Sequence, residues 1–341
     1  MLKRIEWLDS AKAIAIILVV FTHAHERAGN VPYYVTSVLY SIDRIAVPIF
    51  FMISGALLLP RMTDKNYHNL QRKIFKFIFL LITYSIATNI MKNITDGVGL
   101  KESIVNSIIN GNGIINSNFE IASYGAARQM WFMYYIIIIY ALSPIINKFI
   151  YLIGNKNTLY LIITISFFTV GLDTLKSYTI AKIPFSRMSV TDLIVYIDYF
   201  IIGHFMVNKF DEGRVSVITL ILIITISTMA PLYSEVKHGD IDWSMHWYGN
   251  SLFIFISSIS ALILIKKASR FINTSVMKIL GKASFLIYLS HYLFIYLWLF
   301  LLKSSEVGYT TMTLLLLLLS ISSSLILYFI IKNTALRRCL M

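Results

Sequence analysis

Cysteine is all but missing from this chain: among 341 residues the single thiol is Cys339. One cysteine closes no internal disulfide, and its place third from the C-terminus is one too late for a prenylation box. A disulfide scaffold, a prenyl anchor and thiol catalysis are therefore not expected. Charge is scarce as well, at 14% of residues against 57% hydrophobic, and acids are scarcer than bases, 17 Asp+Glu against 30 Lys+Arg. The sequence also lacks internal repeats, low-complexity linkers and the short apolar/polar alternation of an outer-membrane barrel. The first apolar run is followed by THAHERAGN, which holds no small-residue cleavage site, so a retained helix is expected rather than a signal peptide.

What the chain has instead is long Ile/Leu/Phe runs of about the 20 residues needed to cross hydrocarbon. Backbone groups in lipid must be satisfied within the segment, so the runs predict an all-α, polytopic membrane protein. About ten spans are read by hydropathy window, near 10–27, 42–60, 74–91, 129–147, 157–173, 191–208, 214–231, 248–266, 283–302 and 310–332. The chain is treated as one integral-membrane domain, residues 1–341. Residues 92–127, which include NGNGIINSN, form the widest polar stretch and read as one extracytoplasmic loop.

In a soluble protein the basic excess would point to nucleic acid. Here its position explains it, and membrane lipid rather than nucleic acid is the expected neighbour. With a cytoplasmic N-terminus, alternate loops carry Lys3/Arg4, Arg61/Lys65/Arg72/Lys73/Lys76, Lys148/Lys156, Lys209/Arg214, Lys266/Lys267/Arg270/Lys278/Lys282 and Lys332/Arg337/Arg338. The opposite loops are assigned most of the acids, among them Glu26, Asp96, Glu102, Glu120, Glu235, Asp240 and Asp242. This asymmetry follows the positive-inside rule and, with an even number of spans, puts both termini in the cytoplasm.

Within the first run, LDSAKAIAIILVVFTHAH, the ionisable residues are spaced in a pattern. Eleven residues separate Lys12 from His23, almost three whole turns, so the two share a face with backbones roughly 16 Å apart along the axis. Asp9 lies one turn from Lys12 on nearly the same stripe, and His25 points elsewhere. An ionisable group at the centre of a membrane helix costs about 2.5 kcal/mol or more, which makes His23 a functional candidate. An imidazole there can act as a general base on a hydroxyl or accept an acyl group. Lys12 has the alternative of snorkelling, and Asp9 that of pairing with Lys12 or favouring the helix N-terminus.

Other residues with chemical potential follow. In SIDRIAVPIFFMISGALLLPR, Arg44 lies near the non-cytoplasmic face, Pro48 can kink the helix and Ser54-Gly55 permits close helix approach. Arg72 and Lys73, at the cytoplasmic start of the third span, fit topology and also suit a phosphate-rich ligand. Trp131, in MWFMYYIIIIYALSPII, fits an interfacial belt. His291, in GKASFLIYLSHYLFIY with Tyr288 one turn before it, falls near mid-bilayer, where a satisfied inward position is expected.

Taken in order, LDSAKAIAIILVVFTH, AVPIFFMISG, the basic start of the third span, WFMYYIIIIYALSP, YFIIGHF and SFLIYLSH resemble the acyltransferase-3 family of bacterial inner-membrane O-acyltransferases over nearly the whole chain. Among its members, those acting on enterobacterial common antigen and similar surface glycans are the most similar in length and pattern. The resemblance implies acetyl-CoA as donor substrate, with no bound cofactor or metal, and a hydroxyl of a glycan or lipid-linked glycan as acceptor. It puts the family's first-helix histidine at His23 and its basic partner at Lys12, a lysine where many members have arginine. The change keeps the charge and loses the planar fork. It also matches the basic pair of the third helix to Arg72 and Lys73. Asp9, Arg44, Trp131, Tyr288 and His291 are left as supporting or acceptor-binding candidates. A flippase for lipid-linked glycan, with His23 and His291 as a proton relay, is the competing reading, and a glycan polymerase a third.

The charge asymmetry generates the first prediction. Reporter fusions after Arg338 and within 61–73 are expected to report cytoplasm, and fusions within 92–127 and 232–247 the periplasm. The opposite labelling would reverse the topology.

Overall fold

The computed structural model describes residues 5–62, 67–109, 126–179, 190–211, 213, 215–249, 251–272, 274–303, 307–334 and 337–340. The NGNGIINSN segment therefore lies outside the described residues. Of the described residues 87% are helical and none is in a strand. The principal helices are α1 (Trp7–Ala28), α2 (Tyr33–Asp43), α3 (Ala46–Leu58), α4 (Tyr67–Thr95), α5 (Leu100–Ile104), α6 (Trp131–Ser166), α7 (Leu172–Thr179), α8 (Val190–Asn208), α9 (Val217–His238), α10 (Leu252–Ile272), α11 (Ser275–Leu301) and α12 (Tyr309–Lys332).

Nine helical stretches among the described residues are long and apolar enough to cross a membrane. One of them, Arg128–Tyr178, has 51 residues and at 1.5 Å per residue would be roughly 77 Å long, far more than a hydrocarbon core of about 30 Å. Gly154 interrupts it with φ 77° and ψ 161°, a left-handed backbone that glycine adopts without a Cβ penalty. The nine stretches thus carry the ten apolar runs of the sequence. The second span begins at Tyr33 rather than near 42, and it bends at Arg44–Ile45 between α2 and α3. Pro48 stands in the first turn of α3, where it has no N–H for the Arg44 carbonyl four residues before it and its ring crowds that carbonyl, so the span breaks there, as expected of a kink at proline.

The surfaces are inverted relative to a water-soluble protein. Along α9, Ile218, Leu222 and Ile226 recur every four residues and are 72%, 54% and 62% exposed, while Ser227, Thr228, Ser234 and Glu235 of the same helix are buried. An apolar exterior over a partly polar interior is the arrangement a lipid solvent selects.

The chain divides into two compact units. The first takes residues through Val19, then Val31–Asn66 and Leu142–Gly281; the second takes Val20–Asn30, Tyr67–Ala141 and Lys282–Met341. In the first unit α3 packs extensively along α8, and α9 against α10 and α2. Glycines set the first of these contacts: a Cβ at Gly55 would overlap the Phe200 carbonyl, and one at Gly203 the backbone of Met52. Beside this crossing Phe51 and Tyr196 stack with centroids 4.8 Å apart. Gly281, likewise, leaves no space between its own backbone and that of Asp9. In the second unit Tyr292, Ile295 and Tyr296 of α11 form a buried cluster against Met91 and Leu299.

Gly203→Val forces backbone apart at the α3–α8 crossing, where no flexible side chain can yield. Overpacking usually costs about 1–3 kcal/mol, and the upper end is expected here. Thermal unfolding in detergent should show a clear loss for Gly203→Val and little change for Gly99→Ala, since nothing lies within 4 Å of a Cβ at Gly99.

Candidate active site

The last turns of α1 supply the centre of the second unit. His23, Glu26 and Arg27 stand at i, i+3 and i+4 and therefore share one helical face. His23 Nδ1 is 3.1 Å from Glu26 Oε2. A carboxylate oxygen only accepts, so Nδ1 carries the hydrogen and, in the neutral ring, Nε2 holds the lone pair. The same carboxylate oxygen receives Arg128 Nη2 at 2.6 Å. The Glu26 side chain is only 6% exposed. The guanidinium balances a charge that would be costly alone, and the pair holds the imidazole in one tautomer and orientation.

Helix α11 forms the facing wall. The His291 ring stacks on His23 at 5.4 Å between centroids with 18° between planes, and Tyr292 meets His23 edge-on at 4.9 Å. His291 is fully buried, and its Nδ1 lies 3.0 Å from the Ile287 carbonyl and 2.8 Å from that of Tyr288. Its Nε2 has no hydrogen-bond partner among the described residues. Arg27 donates to the Tyr292 hydroxyl from Nε and Nη2, at 3.1 and 2.9 Å, and lies over the rings of Tyr292 and Tyr296.

The start of α6 closes the arrangement. Tyr288 and Tyr296 hydroxyls donate to the carbonyls of Gln129 (2.7 Å) and Ala126 (3.0 Å), so the strip from Ala126 to Gln129 is fastened to α11 while Arg128 reaches Glu26. Gln129 is 1% exposed, and neither atom of its carboxamide has a partner among the described residues. From there a line of rings runs to Lys73. Tyr288 is 6.3 Å from His291 and 6.4 Å from Phe285, Phe285 is 5.4 Å from Phe77, and Phe77 is 5.3 Å from Tyr140. Lys73 Nζ lies 4.8 Å from the Tyr140 centroid and 3.4 Å from its hydroxyl.

Of the residues singled out in the sequence, His23, Tyr288 and His291 are thus brought together, with Lys73 at the far end of the ring line. Trp131 is buried against Phe132 and Tyr135 behind this wall, and Phe132 touches Tyr288. Arg72 is exposed, about 100° round the helix from Lys73. Lys12 forms an ion pair with Asp9 at 3.7 Å, with its side chain 26% exposed. His25 packs on Phe21, away from the His23 face. Arg44 belongs to a buried cluster of the first unit: it lies 4.3 Å from the centroid of Tyr40 and donates to the Tyr248 hydroxyl at 3.0 Å. In the same unit His246 Nε2 donates to Glu235 Oε1 at 2.9 Å, both side chains 1% exposed. Glu26 and Glu235, assigned from the sequence to polar loops, are instead helical, with side chains 6% and 1% exposed, and each has a specific cationic or N–H partner.

Glu26, Arg27, Arg128, Gln129, Tyr292 and Tyr296 were missed in the sequence reading. The spacing of His23, Glu26 and Arg27 was a usable local signal; the partnership with Arg128 and α11 was not, since it joins residues far apart in the chain.

Searches against curated proteins and solved structures give no significant match. A family model described as an acyltransferase domain matches residues 5–331. A match over nearly the whole length, on a multi-pass helical chain, shows that this membrane protein belongs to the acyltransferase-3 family and is an acyltransferase.

Proposed function

We propose that the protein transfers an acetyl group from cytoplasmic acetyl-CoA to a hydroxyl of a cell-envelope glycan or lipid-linked glycan, in the bacterial inner membrane. The observation that carries this reading is the His23 imidazole, held through Nδ1 by the Glu26–Arg128 pair. Acyl transfer to a hydroxyl needs either a base to take its proton or a nucleophile to carry the acyl group, and His23 Nε2 suits both. The buried carboxamide of Gln129 is a suitable donor for the acyl oxygen as it gains charge.

Two features support a coenzyme A donor. Lys12 lies almost three turns of α1 from His23, roughly 16 Å, on the order of a pantetheine arm. The ring line from Tyr140 to Tyr288 offers an apolar wall between the Lys73 ammonium, a phosphate partner, and the paired imidazoles. The stacked histidines also suit the proton relay of a flippase. The two readings separate in detergent, where transfer of labelled acetyl from acetyl-CoA to a crude glycan acceptor needs no sealed membrane.

In that assay His23→Ala should abolish transfer while the protein still inserts at near-normal level, and His25→Ala should have little effect. Wild-type activity in His23→Ala would remove the central claim. Glu26→Gln keeps an acceptor for Nδ1 but loses the charge that supports an imidazolium, so turnover should fall by ~100-fold or more. Retention of full turnover would show that the carboxylate serves only to anchor Arg128.

Lys12 carries a separate expectation. If its ammonium attracts a coenzyme phosphate, Lys12→Met should raise the donor KM and leave the acceptor KM unchanged, with Lys12→Arg tolerated. If it serves only Asp9, Lys12→Met and Asp9→Asn should both lower thermal stability and leave donor KM alone. Donor titrations normalised to folded protein decide between them.

A further inference from the structure

His23 and His291 are a stacked pair of imidazoles whose Nδ1 atoms are both committed and whose surroundings differ in charge. We propose that they divide acyl transfer in two: His23 Nε2 takes the acyl group from the donor, and His291 Nε2 takes the proton of the acceptor hydroxyl. This deepens the acyltransferase reading above and rests on its acyl-CoA donor.

The division follows from what each ring can do. A ring that bonds an acyl carbon through Nε2 becomes positively charged, and the Glu26 carboxylate opposite Nδ1 favours that state in His23. While the acyl group is on Nε2, that atom has no lone pair left to accept a proton. A second base is then required, and His291 is the imidazole against the same ring. Its Nδ1 faces two carbonyl oxygens, which only accept, so Nδ1 is an N–H donor and the neutral ring presents its lone pair at Nε2. That atom is buried with no donor among the described residues. A buried acceptor without a donor is unfavourable until one arrives, and a substrate hydroxyl is such a donor.

The steps balance. His23 Nε2 bonds to the thioester carbonyl carbon, the carbon–sulfur bond breaks and the coenzyme leaves as thiolate. The acceptor oxygen then bonds to the acyl carbon while its proton passes to His291 Nε2, and the bond from His23 to carbon breaks, restoring the neutral ring. His291 finally returns its proton to the thiolate directly or through water, so the products are the ester and the free thiol.

His291→Asn is the informative variant, because the asparagine amide nitrogen can stand where Nδ1 stood and donate to the same carbonyls while Nε2 is deleted. Full-length protein in detergent is mixed with labelled acetyl-CoA without acceptor, quenched rapidly, and assayed for thiol release and for label on the peptide holding His23; acceptor is then added. Wild type should release about one thiol per chain in a burst, hold the label on His23 and pass it to the acceptor. H291N should give the same burst and label but transfer at least ~100-fold more slowly, as expected on losing a general base; H23A should give neither burst nor transfer.

The proposal is overturned if H291N transfers at the wild-type rate, if it loses the burst while still folded by its melting transition, or if wild type transfers acetyl without ever labelling His23. Wild type that neither releases thiol nor transfers acetyl would reject the acyl-CoA reading itself. H291Q carries the same expectations should H291N not fold, and the wild-type labelling depends on neither variant.

Discussion

One carboxylate, that of Glu26, sets the geometry of the second unit. A charge at 6% exposure needs a partner, and breaking such a pair costs about 3–5 kcal/mol. Its partner, Arg128, comes from the other end of a long stretch of chain, so satisfying Glu26 ties the start of α6 to α1. The same oxygen fixes the tautomer of His23. Around this point Tyr288 and Tyr296 complete the attachment with hydroxyl bonds to backbone carbonyls. The chemistry and the packing of this region thus rely on a single ion-paired oxygen.

A membrane interior makes that dependence stronger. With apolar side chains turned outward, association of helices cannot draw on the hydrophobic effect as it does in water, and close packing and interior polar bonds take over. The first unit uses the former at Gly55, Gly203 and Gly281, where backbones approach so nearly that no Cβ fits. It uses the latter around Arg44, Tyr40 and Tyr248 and in the pairing of Glu235 with His246. In the second unit the polar bonds converge on two imidazoles, and His291 Nε2 and the Gln129 carboxamide, which have no partner among the described residues, are departures from the rule that buried polar groups are paired. Such departures are expected where a substrate supplies the missing partner.

Much of the fold was legible in the sequence because span length is a constraint set by the bilayer. Each apolar run recurs as helix, and the one difference in count is Gly154, whose left-handed backbone splits a stretch that is otherwise uninterrupted. His23 was legible because helical periodicity fixes which residues share a face. Glu26 was misread as a loop acid: hydropathy assigns charge to water, and nothing local reveals that Arg128 neutralises it. The contacts of Arg44 with Tyr40 and Tyr248 were not legible, since they depend on the bend between α2 and α3 and, for Tyr248, on a residue 204 positions along the chain.

By itself, the sequence determined the helical class, the spans, the charge asymmetry of the loops and the Lys12–His23 stripe, since these follow from local hydropathy and a fixed helical repeat. Tertiary structure alone decided that His291 stacks on His23, that Arg128 answers Glu26 and that the Gln129 carboxamide is left buried with no partner among the described residues. Those contacts join residues separated by a hundred positions or more, where no period relates them and only the packing of whole helices brings their side chains within hydrogen-bond or stacking range.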